Sequence, residues 1–194
     1  MGSPLQICSK SGLLQEARFI ASPNHDDRPA ESEPSLIVIH NISLPPDQFG
    51  SEHINQLFTN CLCEEDHPFF AEISHLRVSS HILIRRDGEI IQYVPFHMRA
   101  WHAGVSCFRN REVCNDFSIG IELEGSDTTD FCDIQYLVLE NLIRTLQQTY
   151  SSLSKDSITG HEHIAPGRKT DPGPHFDWQR LGLSLEVTLP AGAS

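Results

Sequence analysis

The stretch GHEHIAPGRKTDPG, residues 160–173, sets two histidines one residue apart and follows them with a lysine and an aspartate boxed in by glycine and proline. Imidazoles and carboxylates are ligands for divalent ions, so His161 and His163 raise the question of which one has a partner elsewhere in the chain. Three polar residues stand at or just past apolar strand-like runs: His40 after LIVI, Glu122 within IGIELE and His161 after SITG. Open α/β sheets gather working residues where strands end, because the loops there converge on one crevice. Taken singly, a histidine past a strand is a weak signal, since such rings are commonly hydrogen-bonded scaffold and this chain has eleven of them. Asp171 changes the balance. Pro172 disfavours helix at the preceding residue and holds Asp171 extended, while Pro166-Gly167 supplies a turn that folds the chain back. His161 and Asp171 can then meet around one ion, and His40 completes a three-ligand set with the fourth position open, which suits catalytic zinc. In an extended stretch Lys169 falls on the same side as Asp171, two residues away, and beside the site.

The elements that must carry these residues read as a mixed α/β domain. SLIVIHNI (35–42) is an apolar, β-branched run, expected as a buried strand that ends in the polar pair His40 and Asn41. DFSIGIELEG (116–125) alternates, placing Ile119, Ile121 and Leu123 on one face and Gly120, Glu122 and Glu124 on the other. In HILIRRDGEIIQYV (81–94) the Asp87-Gly88 pair predicts a two-residue hairpin turn with both positions at positive φ. DIQYLVLENLIRTLQQTY (133–150) spaces Tyr136, Leu137, Leu139, Leu142, Ile143 and Leu146 at helical intervals behind an Asp133 N-cap. Shorter helices are expected within SEHINQLFTN (51–60) and DWQRLGL (177–183), and SPNHDDRPAESEPS (22–35) as an extended surface arm. The sum is one α/β domain over residues 1–194, a central mixed β-sheet flanked by helices.

Composition narrows the partners. Lys plus Arg 14 against Asp plus Glu 26 gives a net charge of -12, which repels phosphate backbones and anionic headgroups, so neither nucleic acid nor membrane is expected. An anionic small molecule would need locally concentrated positive charge, for which Lys169 is a candidate. The opening MGSPLQICSKSGLLQEARFI lacks the apolar core of a secretory signal and the Ser or Thr that myristoylation needs at position 6. No segment reaches the ~18 apolar residues of a bilayer span. A cytoplasmic location follows as the expectation. The six cysteines (Cys8, Cys61, Cys63, Cys107, Cys114, Cys132) are irregularly spaced with no CxxC pair and are expected as free thiols.

The strings IVIHNISLPP, HLRVSSHILIRRDGEIIQYVPF, RAWHAGVS, CNDFSIGIELEG and ITGH with IAPGRKTDPGPHFDW are together highly specific. From about Ala17 to Trp178 the chain resembles the cytosolic N-acetylmuramyl-L-alanine amidases of Gram-negative bacteria. More distantly it resembles the zinc amidases related to peptidoglycan recognition proteins. The resemblance implies that fold, and it implies that the zinc histidine is His161, directly after glycine in TGH, with His163 a bystander. It implies His40 and Asp171 as the other ligands of Zn2+, Glu122 as the catalytic acid/base and Lys169 as the electrophilic partner, with Glu124 in support. The implied substrate is the amide between 1,6-anhydro-N-acetylmuramic acid and L-alanine in recycled wall fragments, cleaved by a monomer, with an indirect damping of β-lactamase induction. Arg77 is then an anchor for a substrate carboxylate, and Asn41, Trp101 and His102 are cavity-wall residues. Where the family has a second arginine before CND this chain has Val113, for which Arg109 or Arg111 is a candidate substitute. Two alternatives stand beside this reading: an amidase acting on intact cell wall, and a module that binds muropeptides without cleaving them.

Overall fold

The two most apolar β-branched runs of the chain lie side by side at the centre of the molecule, where both faces of a parallel sheet can be covered. The computed structural model describes residues 5–183. Six strands form one mixed sheet: β1 (Arg18–Phe19), β2 (Leu36–Ile42), β3 (Ile82–Ile84), β4 (Ile90–Gln92), β5 (Ser118–Glu124) and β6 (Ile158–Gly160), in the order β6-β2-β5-β3-β4-β1. Only the β3/β4 pair is antiparallel.

The expected alternation of β5 holds. Ile119, Ile121 and Leu123 join Ile37 and Ile39 of β2 and pack on helix α3 (Asp133–Thr149) through Tyr136, Leu139, Leu142, Ile143 and Leu146. Leu137 does not share that stripe and is 59% exposed; it sits two residues, about 200° around the helix, from Leu139. The N-cap is Cys132, whose N–H donates to the Gln135 side chain, and Asp133 falls instead in the first turn. Two short helices, α1 (His53–Phe58) and α2 (Phe70–Ile73), cover part of the opposite face, with Leu57, Phe58 and Phe70 against Leu83, Ile91 and Tyr93. The expected helix after Phe176 is a single 3-10 turn, Trp178–Leu181.

The β3/β4 hairpin forms, but its loop has three residues rather than two. The Gly88 N–H donates to Arg85 O at 2.9 Å and the Arg85 N–H to Glu89 O at 2.9 Å, with only Gly88 at positive φ (+89°). This is a type I turn closed by a left-handed glycine, the hairpin loop next in frequency after the two-residue ones. Residues 22–35 are also more than a surface arm. His25–Asp27 pairs antiparallel with Met98–Ala100, and Ser22 and Asn24 are buried. Arg28 donates to the carbonyls of Phe96, Asn115, Asp116 and Ser118. Polar composition concealed this, because these side chains satisfy buried backbone carbonyls instead of facing water. All six cysteines are free thiols, and Cys114 alone is fully buried.

Candidate metal centre

Strand register assembles the centre. Glu122 of β5 pairs with His40 of β2, and Gly160 of β6 pairs with Ile39, so His161 follows on at the level of His40. Three neighbouring parallel strands therefore bring His161, His40 and Glu122 onto one row, ~4.8 Å apart per strand; His161 lies just past the end of β6, while β2 and β5 run two residues further, to Ile42 and Glu124. Right after Gly160 the chain turns into a one-turn helix, α4 (His161–Ile164). The segment that follows is not extended: Arg168 and Lys169 N–H both donate to Ala165 O, and Glu162 N–H donates to Asp171 O at 2.8 Å. That backbone bond, not a strand, brings Asp171 back over His161.

The three donor atoms form a near-equilateral triangle. His40 Nδ1 to Asp171 Oδ2 is 2.8 Å, His161 Nδ1 to Asp171 Oδ2 is 3.0 Å and His40 Nδ1 to His161 Nδ1 is 3.0 Å. Both imidazoles are buried and Asp171 nearly so. Two imidazole nitrogens and a carboxylate oxygen this close can hold one metal ion. Ligands ~2.0–2.1 Å from a tetrahedral ion lie about 3.3 Å apart, so the observed triangle needs to widen by only a few tenths of an ångström. His163 is not part of it. Its Nδ1 accepts from the Gly160 N–H at 3.3 Å and its ring packs on Trp178.

Electrostatics separate the acids. Burial raises a carboxyl, yet the close contacts with the His161 and His40 rings hold Asp171 well below the usual range, so it is an anion poised to bind a cation. Burial, and then the charge of Asp171, push Glu122 well above the usual range, with Lys169 pulling the other way. Glu122 Oε2 is buried with no hydrogen-bond partner, a free acceptor held in the site. Burial, and then His161, lower His40 to about 4, which keeps its ring neutral and able to ligate. Glu124 is a tether, accepting from Gly50 and Arg86 N–H groups.

A cavity of about 360 Å³ adjoins the triangle, lined by His40, Glu122, His161, Lys169 and Asp171 together with apolar residues including Leu57, Phe58 and Phe69. Asn41 and Trp101 line it. Asn41 also donates to Asp127 Oδ1 at 2.7 Å and to Pro172 O at 3.0 Å, anchoring the Asp171 loop, and Trp101 Nε1 donates to Asp26 at 3.0 Å. His102 touches the cavity, but its ring nitrogens are engaged by His40 and Ser118. Arg77 is exposed and does not line the cavity; its guanidinium donates to the carbonyls of Ser74, His75 and Leu76. Arg109 and Arg111 lie over Phe108 and Phe117 and line no part of the cavity either. Sequence reading missed Arg168, which donates to Ala103 O and Val105 O at 2.7 Å beside His161. It also missed Ser118 and Asn115. Neither lies in a motif of ligand-type residues, so only the fold could reveal them. No described helix is long and apolar enough to cross a membrane.

Residues 30–174 match the N-acetylmuramoyl-L-alanine amidase family model. A 1,6-anhydro-N-acetylmuramyl-L-alanine amidase AmpD of Salmonella typhimurium (strain SL1344) is 61% identical over 170 residues, which cover 88% of this chain and 90% of that protein. The crystal structure of a selenomethionine AmpD derivative superposes with a TM-score of 0.88 at 55% identity, covering 91% of this chain and 97% of the other. AmpDh3 from Pseudomonas aeruginosa, solved in complex with an anhydromuramic pentapeptide, matches at 28% identity with a TM-score of 0.57, over 77% of this chain and 58% of that one.

Proposed function

Because the chain belongs to the N-acetylmuramoyl-L-alanine amidase family, we propose that it hydrolyses the amide between 1,6-anhydro-N-acetylmuramic acid and L-alanine in muropeptides, using zinc held by His40, His161 and Asp171. The observation that carries the zinc reading is the triangle of donors, 2.8 to 3.0 Å on each side, at the edge of a cavity that Glu122 also lines. A zinc ion there supplies Lewis acidity toward the attacking water and the scissile carbonyl.

The side chains do the rest. Glu122, whose Oε2 has no competing partner, takes the proton of the attacking water and returns it to the leaving amine of L-alanine. Its raised pKa makes it a better base than an exposed carboxylate, and lets it keep the proton long enough to deliver it. Lys169 lines the same cavity and donates to the carbonyl oxygen as that atom gains negative charge, a contribution of the kind that costs about 10²–10³ in rate when removed. The apolar lining excludes water from the reacting groups. Asn41 and Trp101 flank the entering substrate, and Arg77 pairs with a peptide carboxylate once its guanidinium leaves its own backbone carbonyls.

The relative solved with an anhydromuramic pentapeptide supports the substrate class. The enzyme acts as a monomer of one domain in the cytoplasm, where removal of anhydro-muropeptides limits the signal for β-lactamase expression. The test is a digest of purified anhydro-muropeptide followed by mass spectrometry, with zinc measured by elemental analysis. Peptide release together with about one zinc per chain is expected. In Asp171→Ala both are expected to be lost; retention of full zinc content in that variant refutes the ligand assignment.

A further inference from the structure

The two imidazoles of the donor triangle are each held from behind by consecutive residues of one loop. His40 Nε2 lies 2.9 Å from His102 Nδ1, and His102 Nε2 lies 3.0 Å from Ser118 Oγ. His161 Nε2 lies 3.0 Å from the carbonyl oxygen of Ala103. That oxygen only accepts, and it is nearer to Nε2 than the Arg168 guanidinium at 3.4 Å, which itself donates to the same oxygen at 2.7 Å; with zinc held on Nδ1, His161 carries its proton on Nε2. The same requirement acts on His40. With Nδ1 bare, its proton sits on Nε2 and is donated to His102 Nδ1, which leaves the His102 proton on Nε2, donated to Ser118 Oγ.

Two further features serve this loop. Asn115 Oδ1 accepts from the N–H groups of both His102, at 3.2 Å, and Ala103, at 2.8 Å, so one amide sets the height of both contacts. Gly120, on the face of β5 that carries Glu122, leaves the space that the His102 ring fills: a β-carbon there would lie 2.5 Å from His102 Cγ.

We propose that His102 is a positioning residue for the metal centre: backed by Ser118 and seated by Asn115, it fixes the tautomer and ring orientation of His40. The role is one of orientation, beside the cavity-wall position that sequence reading gave this residue. It rests on the reading of His40, His161 and Asp171 as ligands. Loss of such a hydrogen-bond partner typically costs about 10- to 100-fold in metal affinity.

Zinc affinity, measured by chelator competition on the full chain, separates orientation from mere packing. His102→Leu removes the acceptor, whereas His102→Asn places an amide oxygen where Nδ1 stood. His102→Leu is expected to bind zinc about 10- to 100-fold more weakly, and His102→Asn to recover most of that loss, with metal-free unfolding temperatures alike in the two variants. Ser118→Ala keeps the ring and its packing and is expected to weaken zinc binding several-fold, which carries the test should the leucine variant fail to fold. Equal losses in the Leu and Asn variants, or wild-type affinity in Ser118→Ala, overturn the proposal. Asp171→Ala, measured alongside, reports separately on the ligand assignment. If it strips the metal while the His102 variants bind normally, only the positioning role is wrong.

Discussion

Gly120→Ala is the smallest change that should disturb the metal centre without touching a ligand. Gly120 sits mid-strand in β5 and is not among the positive-φ glycines, so the backbone tolerates alanine. By chain entropy alone the substitution should stabilise by ~0.4–1 kcal/mol. The new methyl, however, would meet His102 Cγ at 2.5 Å, Nδ1 at 2.6 Å and Cδ2 at 2.8 Å, against an ordinary contact of 3.4 Å or more. The ring must retreat by about 0.9 Å, enough to take the 2.9 Å contact with His40 out of hydrogen-bonding range. Overpacking of this kind costs ~1–3 kcal/mol, and a buried ring nitrogen left without its partner adds ~1–3 kcal/mol. The clash therefore outweighs the entropy gain, and a net loss of about 3 kcal/mol follows, or ~6–12 °C in Tm for a chain of this size. Thermal unfolding of chelator-treated protein measures the loss, and zinc competition on the same samples is expected to show weaker binding. An unchanged or higher Tm together with wild-type zinc affinity refutes the reasoning.

Glu122→Gln is expected to lower amidase turnover by about 10²–10⁴ while zinc content stays at the wild-type level. Because burial holds the folded Glu122 pKa above its unfolded value, its stabilising contribution is complete below about pH 4.3 and is lost as pH rises toward the folded pKa. The metal-free Gln variant should therefore be more stable than wild type at pH 7 and equal to it near pH 4, a crossover that urea titrations at the two pH values detect. Arg28→Met removes the guanidinium that serves four buried carbonyls. It should cost at least about 3 kcal/mol in urea denaturation, since charged hydrogen bonds contribute ~1.5–3 kcal/mol each and several are lost together; a loss under about 1 kcal/mol would contradict that role.

Much of the fold could be read in the chain because the relevant signals are local. The two-residue period of SIGIELE places Glu122 opposite the α3-facing isoleucines whatever else the chain does. The 3.6-residue period of α3 selects its buried stripe, and Leu137, the one residue misplaced, is the one off that period. The hairpin was legible from Asp87-Gly88, but its loop length was not, since a type I turn with a left-handed glycine and a two-residue turn use the same residues.

What the residue order determined by itself is the inventory of donors, His40, Glu122, His161 and Asp171, and the apolar strand runs that carry the first three. Only the tertiary structure decided which donors meet. The alignment of β6, β2 and β5 brings residues up to 121 positions apart to one row, and inter-strand register depends on packing across the whole sheet. The same alignment sends His161 to the metal site and, two residues and about 200° around α4, His163 to Trp178. It also recruits Ser118, Asn115, Gly120 and Arg168, whose types carry no metal-site signal. Their roles arise from where the fold puts them, because a hydrogen bond or a collision exists only between atoms already brought within a few ångströms.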